Sequence, residues 1–366
     1  MKVLALPNAF KGTISARYAA RILTQDLSPR HTVRAWPISD GGDGFLDFFR
    51  TLDPHAQPIA LAAPDAFLNK RGTSFLMLSD GKTAAVETAR VCGLGRIPKN
   101  QLDPLGASSY GVGQVLRGAV KHGAKTIYVG LGGVACNDGG AGMAAACGAK
   151  LLDKNGGEIA PGAKGLLSLS HLDLSTLREW FDGVKVIGVC DVTNPLLGPL
   201  GSARVFGPQK GATPTQVKQL EKALTVWADV LEKTTGKSIA TIPGSGAAGA
   251  IGAGLYGCYN AELCPGTDLL FRKAQIEKQI QWADLVITGE GKLDAQTFYG
   301  KAPGIVLQLA RKHKKPVLFI CGQLDKKNIP PDLLPPQIIV LADVAKGTEA
   351  AQKYTVKYLR QACQNI

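Results

Sequence analysis

Apolar runs alternate with amphipathic stretches and polar loops at both ends of this chain. Near the start, Lys2–Leu6 and Thr32–Ile38 predict buried strands, and the stretch between them predicts a helix over 15–26 that is capped by Ser15. Near the end, strands and helices are again predicted in alternation, over Asp284–Thr288, Gly300–Lys312, Pro316–Cys321, Gln337–Leu341 and Glu349–Cys363. Such alternation indicates one parallel sheet, built from both ends of the chain, with helices on its two faces.

The pattern changes after Pro54. Short runs separated by turns follow, and Asp80-Gly81 lies between two of them, Thr73–Leu78 and Thr83–Glu87, which indicates an antiparallel hairpin. Further elements are predicted over 107–123, Thr126–Gly130, Gly139–Gly148, Val184–Val189 and Pro214–Lys233. A chain of 366 residues commonly forms two domains. We therefore expect a doubly wound parallel-sheet domain, residues 1–55 and 283–366, interrupted by an inserted α/β domain, residues 56–282, with the active site in the cleft between them.

Composition and charge narrow the function classes. Hydrophobic residues make up 45% of the chain and charged residues 19%, as in a globular protein, and we expect no membrane-spanning segment. The net charge is +13, yet the basic residues are spread along the chain and do not alternate with aromatic residues. We therefore expect no nucleic-acid partner and interpret the charge as attraction for an anionic substrate.

Cysteine and histidine positions disfavour two kinds of site. The eight cysteines include no C-x-x-C pair, and the five histidines lie outside the glycine-rich loops. A zinc site or a Ser-His-Asp triad is therefore not expected. Cysteines in apolar surroundings indicate a reduced, cytoplasmic protein.

Three loops place acids between glycines directly after an apolar run: Ile38–Gly44, Val129–Gly140 and Leu285–Asp294. Glycines let backbone N–H groups approach a ligand, and open α/β sheets bind ligands where their strands end, so these loops predict a site for phosphate and a hard cation. The alternative is that the acids cap helices and the glycines serve only close packing. The loop after Val129 lacks the G-x-G-x-x-G spacing of a dinucleotide fingerprint, and no Walker A loop is present in the chain.

Taken in order, the motifs resemble the type 1 glycerate kinase family over nearly the whole chain. The most specific are Gly132-Gly-Val-Ala-Cys-Asn-Asp-Gly-Gly140, Cys190-Asp-Val-Thr-Asn-Pro-Leu-Leu-Gly198, Phe206-Gly-Pro-Gln-Lys-Gly-Ala212 and the loop Asp284–Thr297. The resemblance implies phosphoryl transfer from ATP to D-glycerate with Mg²⁺, on a Rossmann-like domain with an inserted α/β domain. The chain departs from the family pattern at Asn8, Ala9, Asp43, Val134 and Cys136, where the family usually has Asp, Ser, Glu, Ser and Thr.

Roles for single residues are expected from their type and position. Asp191 is the expected base that accepts the hydroxyl proton, with Asp294 as its rival, and Lys11 is expected to neutralise charge during the transfer. The expected metal ligands are Asp40, Asp43 and Glu290. The expected substrate contacts are Asn194, Gln209 and Lys210. The expected phosphate- and nucleotide-binding residues are Gly132, Gly133, Asn137, Asp138, Gly289, Gly291, Lys292 and Lys301.

We therefore predict a cytoplasmic kinase that uses ATP and Mg²⁺ to phosphorylate D-glycerate to phosphoglycerate, and a homodimer is compatible with the sequence. Two alternatives stay open: a diverged binding or regulatory protein on the same fold, which the missing hydroxyls at Ala9, Val134 and Cys136 would favour, and a kinase of a related small hydroxy acid. A dehydrogenase is disfavoured, because no fingerprint glycine loop follows the first strand.

Overall fold

The computed structural model describes residues 1–10, 12–39, 42, 44–298, 300–364 and 366 of the chain. Its strands are β1 Lys2–Pro7, β2 Thr32–Ala35, β3 Gln57–Pro64, β4 Lys70–Met77, β5 Thr83–Glu87, β6 Thr126–Gly130, β7 Lys150–Leu152, β8 His171–Asp173, β9 Lys185–Val189, β10 Glu262–Cys264, β11 Leu285–Leu293, β12 Val317–Leu324 and β13 Gln337–Val340. Its α-helices are α1 Ala16–Leu27, α2 Phe45–Leu52, α3 Thr88–Cys92, α4 Tyr110–Lys121, α5 Ala141–Ala146, α6 Ala163–Leu166, α7 Ser175–Trp180, α8 Ser202–Phe206, α9 Pro214–Thr235, α10 Ala247–Cys258, α11 Gly266–Lys273, α12 Ile276–Trp282, α13 Ala302–Lys312, α14 Leu341–Val344, α15 Thr348–Lys353 and α16 Thr355–Cys363.

The chain forms two compact units. The first comprises Met1–Asp40, Arg50–Pro54 and Gly266–Ile366, and the second comprises Gly41–Phe49 and His55–Pro265. The boundaries near residues 55 and 283 that the sequence pattern indicates stay predictions.

The first unit is built on a five-stranded sheet in the order β13-β12-β11-β1-β2, in which every neighbouring pair is parallel. Residues 3–7 of β1 are buried without alternation, as expected for a strand with helices on both faces of its sheet. α1, α14, α15 and α16 pack together, and α12 and α13 form a separate layer against β1. Ser15 caps α1 as predicted, since its hydroxyl accepts the N–H of Tyr18 at 3.1 Å.

The second unit is built on a six-stranded sheet in the order β10-β9-β6-β5-β4-β3. The strands from β10 to β5 are parallel, and β4 is antiparallel to both of its neighbours. The predicted hairpin at Asp80-Gly81 is confirmed, because β4 and β5 pair there and the Asp80 carboxylate accepts the N–H groups of Lys82 and Thr83. The predicted fold class, a doubly wound parallel sheet interrupted by an inserted α/β region, is confirmed.

One predicted helix is divided in two. The apolar pattern predicts a single helix over 349–363, whereas the structure ends α15 at Lys353 and begins α16 at Thr355. The Thr355 hydroxyl donates to the carbonyl groups of Ala351 and Gln352, at 2.7 and 3.0 Å, so it competes with the backbone at this position. The division places Thr348, Gln352 and Thr355 beside the cavity described next.

Candidate active site

A cavity of about 280 Å³ lies in the first unit, at the carboxyl ends of β1, β11 and β12. Ala9 and Phe10 line it after β1, and Gly322 and Gln323 line it at the end of β12. Five residues that the sequence analysis assigned to phosphate, metal or catalysis line it too: Glu290, Gly291, Lys292, Asp294 and Lys301. The structure therefore places these five sequence-predicted residues around one cavity.

The strand order explains why the cavity forms here. From β1 the chain passes to β2 at one edge of the sheet, whereas from β11 it passes to β12 and β13 towards the other edge. The connections of the neighbouring strands β1 and β11 therefore lead away from each other and leave a crevice at their carboxyl ends. Ligands of open α/β sheets bind in this crevice.

The two acids of the cavity are held by one threonine. The hydroxyl of Thr297, which is fully buried, donates to Glu290 Oε1 at 2.7 Å and accepts the N–H of Asp294 at 3.3 Å. The Asp294 carboxylate accepts the N–H of Gln296 at 2.9 Å and so begins a short 3-10 turn over Ala295–Phe298. Both carboxylates therefore line the cavity from fixed positions.

Two lysines supply positive charge to the same cavity. Lys292 Nζ donates to the Asp325 carboxylate at 3.0 Å and lies 3.9 Å from that of Asp294. Its hydrogen bond with Asp325 raises the pKa of Lys292, so the ammonium group is charged at neutral pH. Lys301 directly precedes α13, and the first N–H groups of an α-helix attract anions.

Gly289 serves the sheet rather than the cavity. A Cβ at this position would collide with the carbonyl oxygen of Ile320 on β12. The carbonyl oxygen of Gly289 also accepts the N–H of Asn8 at 2.8 Å, which extends the pairing of β1 and β11 to the cavity. The geometry at Gly289 thus favours the packing alternative, whereas Gly291 lines the cavity itself.

A second set of predicted residues lies in the second unit, in the loop after β6. We call residues 136–140 of this loop the glycine turn. Gly139 and Gly140 have φ of 66° and 79°, a left-handed conformation that favours glycine. Asn137 and Asp138 before them are fully buried. Earlier in the loop, Gly132 lies close to Gly42, and Gly133 has φ of 62°.

The Asp138 carboxyl group occupies the start of α5. Its Oδ2 accepts the N–H and the hydroxyl of Ser109, at 2.7 and 2.9 Å, and the N–H of Gly142 at 3.3 Å. Its Oδ1 accepts the N–H of Gly140 at 3.3 Å. Burial raises the pKa of Asp138 above its ordinary value in spite of these bonds. The N–H groups predicted to hold phosphate at this helix start therefore already have an acceptor.

Three earlier N–H groups of the glycine turn have no such acceptor. Those of Cys136, Asn137 and Asp138 donate no hydrogen bond to the part of the chain that the structure describes. Since the great majority of buried N–H groups in proteins are paired, three consecutive unpaired donors set this turn apart.

Lys210 contacts the same turn. It is 3% exposed, and its Nζ donates to the carbonyl oxygen of Cys136 at 2.6 Å and to Asn137 Oδ1 at 3.0 Å. Burial lowers the pKa of Lys210. The structure thus joins Asn137 and Lys210, which the sequence analysis assigned to different ligands, in one group.

The remaining predicted residues of the second unit lie after β9 and α8. Asp191 follows β9 and is half-buried. The side-chain amide of Asn194 donates to Leu200 at 2.8 Å, and its backbone carbonyl accepts the N–H of Gly246 at 3.0 Å. Gln209 is exposed, in contrast to the neighbouring Lys210.

Lys11, Asp40 and Asp43 lie outside the described residues, so their predicted roles stay predictions. Of the departures from the family pattern, Val134 and Cys136 are buried in the apolar core of the second unit. Ala9, in contrast, lines the cavity of the first unit.

The sequence analysis missed three residues that hold these sites: Ser109, Trp227 and Thr297. The spacing Asp294-x-x-Thr297 after a strand is a local signal that could have indicated the last of them. Ser109 and Trp227 lie 29 and 88 residues from the turn residues that they contact, and the sequence carries no local signal for such pairs.

Two features, a membrane-spanning helix and a cluster of metal-ligating side chains, are absent from the described residues. No described helix has the length and apolar character needed to cross a bilayer. No three His, Cys, Asp or Glu side chains among the described residues cluster as a group that could hold a metal ion.

Comparison with known proteins gives consistent matches. The sequence model of the glycerate kinase family matches residues 3–366. A glycerate kinase of Halalkalibacterium halodurans is 39% identical over 88% of this chain and 85% of its own length. The glycerate 2-kinase of Escherichia coli K12 is 37% identical over 88% of this chain and 86% of its own. A solved structure from Salmonella typhimurium LT2, provisionally named glycerate kinase 2, has a TM-score of 0.82 and 32% identity, covering 100% of this chain and 98% of its own.

The family match spans both units, and relatives above 30% identity cover most of the chain. Three of the four motifs that predicted the family lie at the carboxyl ends of the parallel strands β6, β9 and β11, and the fourth follows α8. The chain therefore belongs to the glycerate kinase family, whose members are phosphotransferases.

Proposed function

We propose that this protein transfers the terminal phosphoryl group of ATP to D-glycerate and so forms phosphoglycerate. The observation that carries the proposal is the convergence of acids, lysines and a helix start on the cavity at the switch point of the parallel sheet. In phosphoryl transfer the protein mainly positions the reactants and neutralises charge, and these groups are suited to both tasks. The names of the relatives support glycerate as the acceptor.

Mg²⁺ is the metal that this reaction implies, and the donor set of the cavity is compatible with it. Glu290 and Asp294 are two carboxylates on one cavity wall. Mg²⁺ in kinases is commonly bound through one or two carboxylates together with substrate phosphates and water, so a larger protein cluster is not required. We propose that Glu290 and Asp294 hold the ion, which when bound neutralises charge on the phosphates.

The phosphate groups are proposed to contact Gly291, Lys292 and Lys301, which line the cavity with these carboxylates. In the second unit, Lys210, Asn194 and Gln209 remain the proposed substrate contacts.

Asp191 is the proposed base that accepts the proton of the attacking hydroxyl. Its rival Asp294 accepts the N–H of Gln296 and lies 3.9 Å from Lys292, which suits a metal ligand better than a base. Replacing Asp191→Asn removes the acceptor with little change in volume. We expect turnover to fall by about two orders of magnitude while the far-UV circular dichroism stays unchanged. Near-normal turnover would remove Asp191 from this role.

The test of the function is ADP release by the purified protein with ATP and Mg²⁺, with and without D-glycerate. We expect release that depends on glycerate and that falls about a hundredfold in Glu290→Gln and about tenfold or more in Lys301→Met. Glu277→Gln is the matched control, because Glu277 lies in the same unit, pairs with Lys312 and does not line the cavity. ADP release that ignores glycerate, or that all three variants retain, would contradict the proposal.

The alternative of a diverged binding protein has less support. It was motivated by lost hydroxyls, but Val134 and Cys136 lie in the core. Of the residues that depart from the family pattern, Ala9 lines the cavity. One hydrogen bond missing there weakens ligand binding by about 0.5–1.5 kcal/mol. A loss of that size lowers affinity without abolishing phosphoryl transfer.

A further inference from the structure

Trp227 of α9 contacts the glycine turn directly. Its side chain is fully buried, and its indole N–H donates to the carbonyl oxygen of Gly139 at 3.0 Å. A Cβ at Gly139 would lie 2.6 Å from the indole nitrogen, so the ring packs on the bare Cα of this glycine. One side chain thus both covers the turn and bonds its backbone.

Both peptide groups that flank Gly139 are held at both of their ends. In the group after Gly139, the carbonyl accepts from Trp227 and the N–H of Gly140 donates to the Asp138 carboxylate at 3.3 Å. In the group before it, the carbonyl of Asp138 accepts the N–H of Ala141 at 2.9 Å, and the N–H of Gly139 donates to the carbonyl of Gly249 at 3.2 Å. Because two adjacent glycines permit many backbone conformations, these four bonds select one of them.

The acceptor Gly249 lies in a left-handed segment within the range of α10. Ala248, Gly249 and Ala250 have φ of 52°, 62° and 66°, a conformation that alanine rarely adopts and that clusters at functional sites. A Cβ at Gly249 would collide with the carbonyl of Cys136 and would lie 2.8 Å from Lys210 Nζ. The segment is therefore packed against Cys136 of the glycine turn and against Lys210.

We propose that Trp227 is a positioning residue for phosphoryl transfer. By fixing the carbonyl of Gly139, its indole N–H holds the glycine turn against Gly249, and Gly246, just before the same segment, bonds Asn194 in the loop that carries the proposed base Asp191. The effect of Trp227 on catalysis rests on the proposed function. Its effect on the conformation of the glycine turn is a property of the ligand-free protein. A ring that served only to fill the core would act through its volume and not through its N–H.

The test compares Trp227→Phe, which keeps an aromatic ring and loses the N–H, with Leu224→Ala. Leu224 is fully buried three positions earlier on α9 and has no hydrogen-bonding side chain, so its variant loses core packing alone. Two readouts are measured: amide hydrogen exchange over residues 136–142 in the ligand-free protein, and kcat with KM for glycerate.

For Trp227→Phe we expect exchange over residues 136–142 to accelerate about tenfold, kcat to fall about fivefold or more, and KM to stay within about twofold. For Leu224→Ala we expect a lower Tm with exchange and kcat within about twofold of the wild type. Equal effects of the two variants on exchange and kcat would overturn the inference. A wild-type protein without glycerate-dependent turnover would instead overturn the proposed function.

A second variant keeps the test decisive if Trp227→Phe does not fold. 3-Benzothienylalanine introduced at position 227 by nonsense suppression keeps the shape of the indole ring and replaces its N–H by sulfur. The same faster exchange and lower kcat are expected. Wild-type exchange and kcat in this variant would show that the ring volume alone matters and would overturn the inference.

Discussion

At the scale of single residues, the buried Asp138 and Lys210 both bond the backbone of the glycine turn. Asp138 accepts hydrogen bonds from Ser109, Gly140 and Gly142, and Lys210 donates to Cys136 and Asn137. A carboxylate at a helix start does within the chain what a bound phosphate would do there. The pattern of glycines and acids in the sequence therefore partly reflects hydrogen bonds within the chain, and not only ligand binding.

Replacing Asp138→Asn tests this interpretation. The amide group would place N–H donors against N–H groups that now donate to Asp138, so we expect the free energy of unfolding to fall by about 2–4 kcal/mol. Asp153→Asn is the control, because Asp153 accepts the N–H groups of Asn155 and Gly157 in a surface turn that asparagine also suits. Urea denaturation measures the free energy of unfolding of both variants. A decrease below about 1 kcal/mol for Asp138→Asn would contradict this interpretation.

Lys210 predicts a pH dependence of stability. Burial lowers the pKa of Lys210 below 10.5, so between the folded and the unfolded pKa the unfolded chain binds more protons. The free energy of unfolding contributed by this group therefore rises with pH in that window and is constant below the folded pKa. We expect the stability of the wild type relative to Lys210→Met to increase as pH rises towards 10.5. A difference that falls with pH in urea denaturation would contradict the lowered pKa.

At the scale of elements, the left-handed segment over residues 248–250 stores strain between two loops. Gly246, just before it, donates to Asn194, and Gly249 accepts from Gly139. The segment thus links the loop after β9 to the glycine turn. Ordinary helix propensity does not explain two alanines in this conformation, so contacts with the surrounding residues must maintain it.

Ala248→Gly tests the strain. Ala248 is half-buried with φ of 52°, and glycine adopts this φ freely, so we expect the free energy of unfolding to rise by about 0.5–1 kcal/mol. Ala145→Gly is the matched control, because Ala145 is half-buried in the right-handed α5 and should lose about 1 kcal/mol. Thermal unfolding of both variants measures the sign, and equal losses would contradict strain at Ala248.

The secondary-structure elements also show how much of the fold can be predicted from the sequence. The five parallel strands of the first unit and the hairpin at Asp80-Gly81 were predicted, because their signals are runs and turns of a few residues. The split of the last helix was missed, because Tyr354 leaves the helical conformation there without a proline or glycine to signal it. Trp227 and Lys210 contact residues 88 and 73 positions away, and such contacts arise from the packing of the whole unit.

At the scale of the whole molecule, the net charge of +13 affects binding of anionic reactants. A positive protein attracts ATP and glycerate, and salt screens this attraction over about 8 Å at physiological ionic strength. We expect KM for both substrates to rise severalfold between about 0.05 and about 0.5 M NaCl, with kcat changed less. Steady-state kinetics at fixed pH measure the effect, and a KM independent of salt would contradict a role for the charge.

The central claim is that this member of the glycerate kinase family phosphorylates glycerate. The most direct test is ³¹P NMR of the purified protein with ATP, Mg²⁺ and D-glycerate, alongside samples without glycerate and with Glu290→Gln. We expect a new phosphomonoester signal that grows with ADP only in the complete wild-type sample. ATP that stays intact, or ADP that forms without a phosphoglycerate signal, would contradict the account.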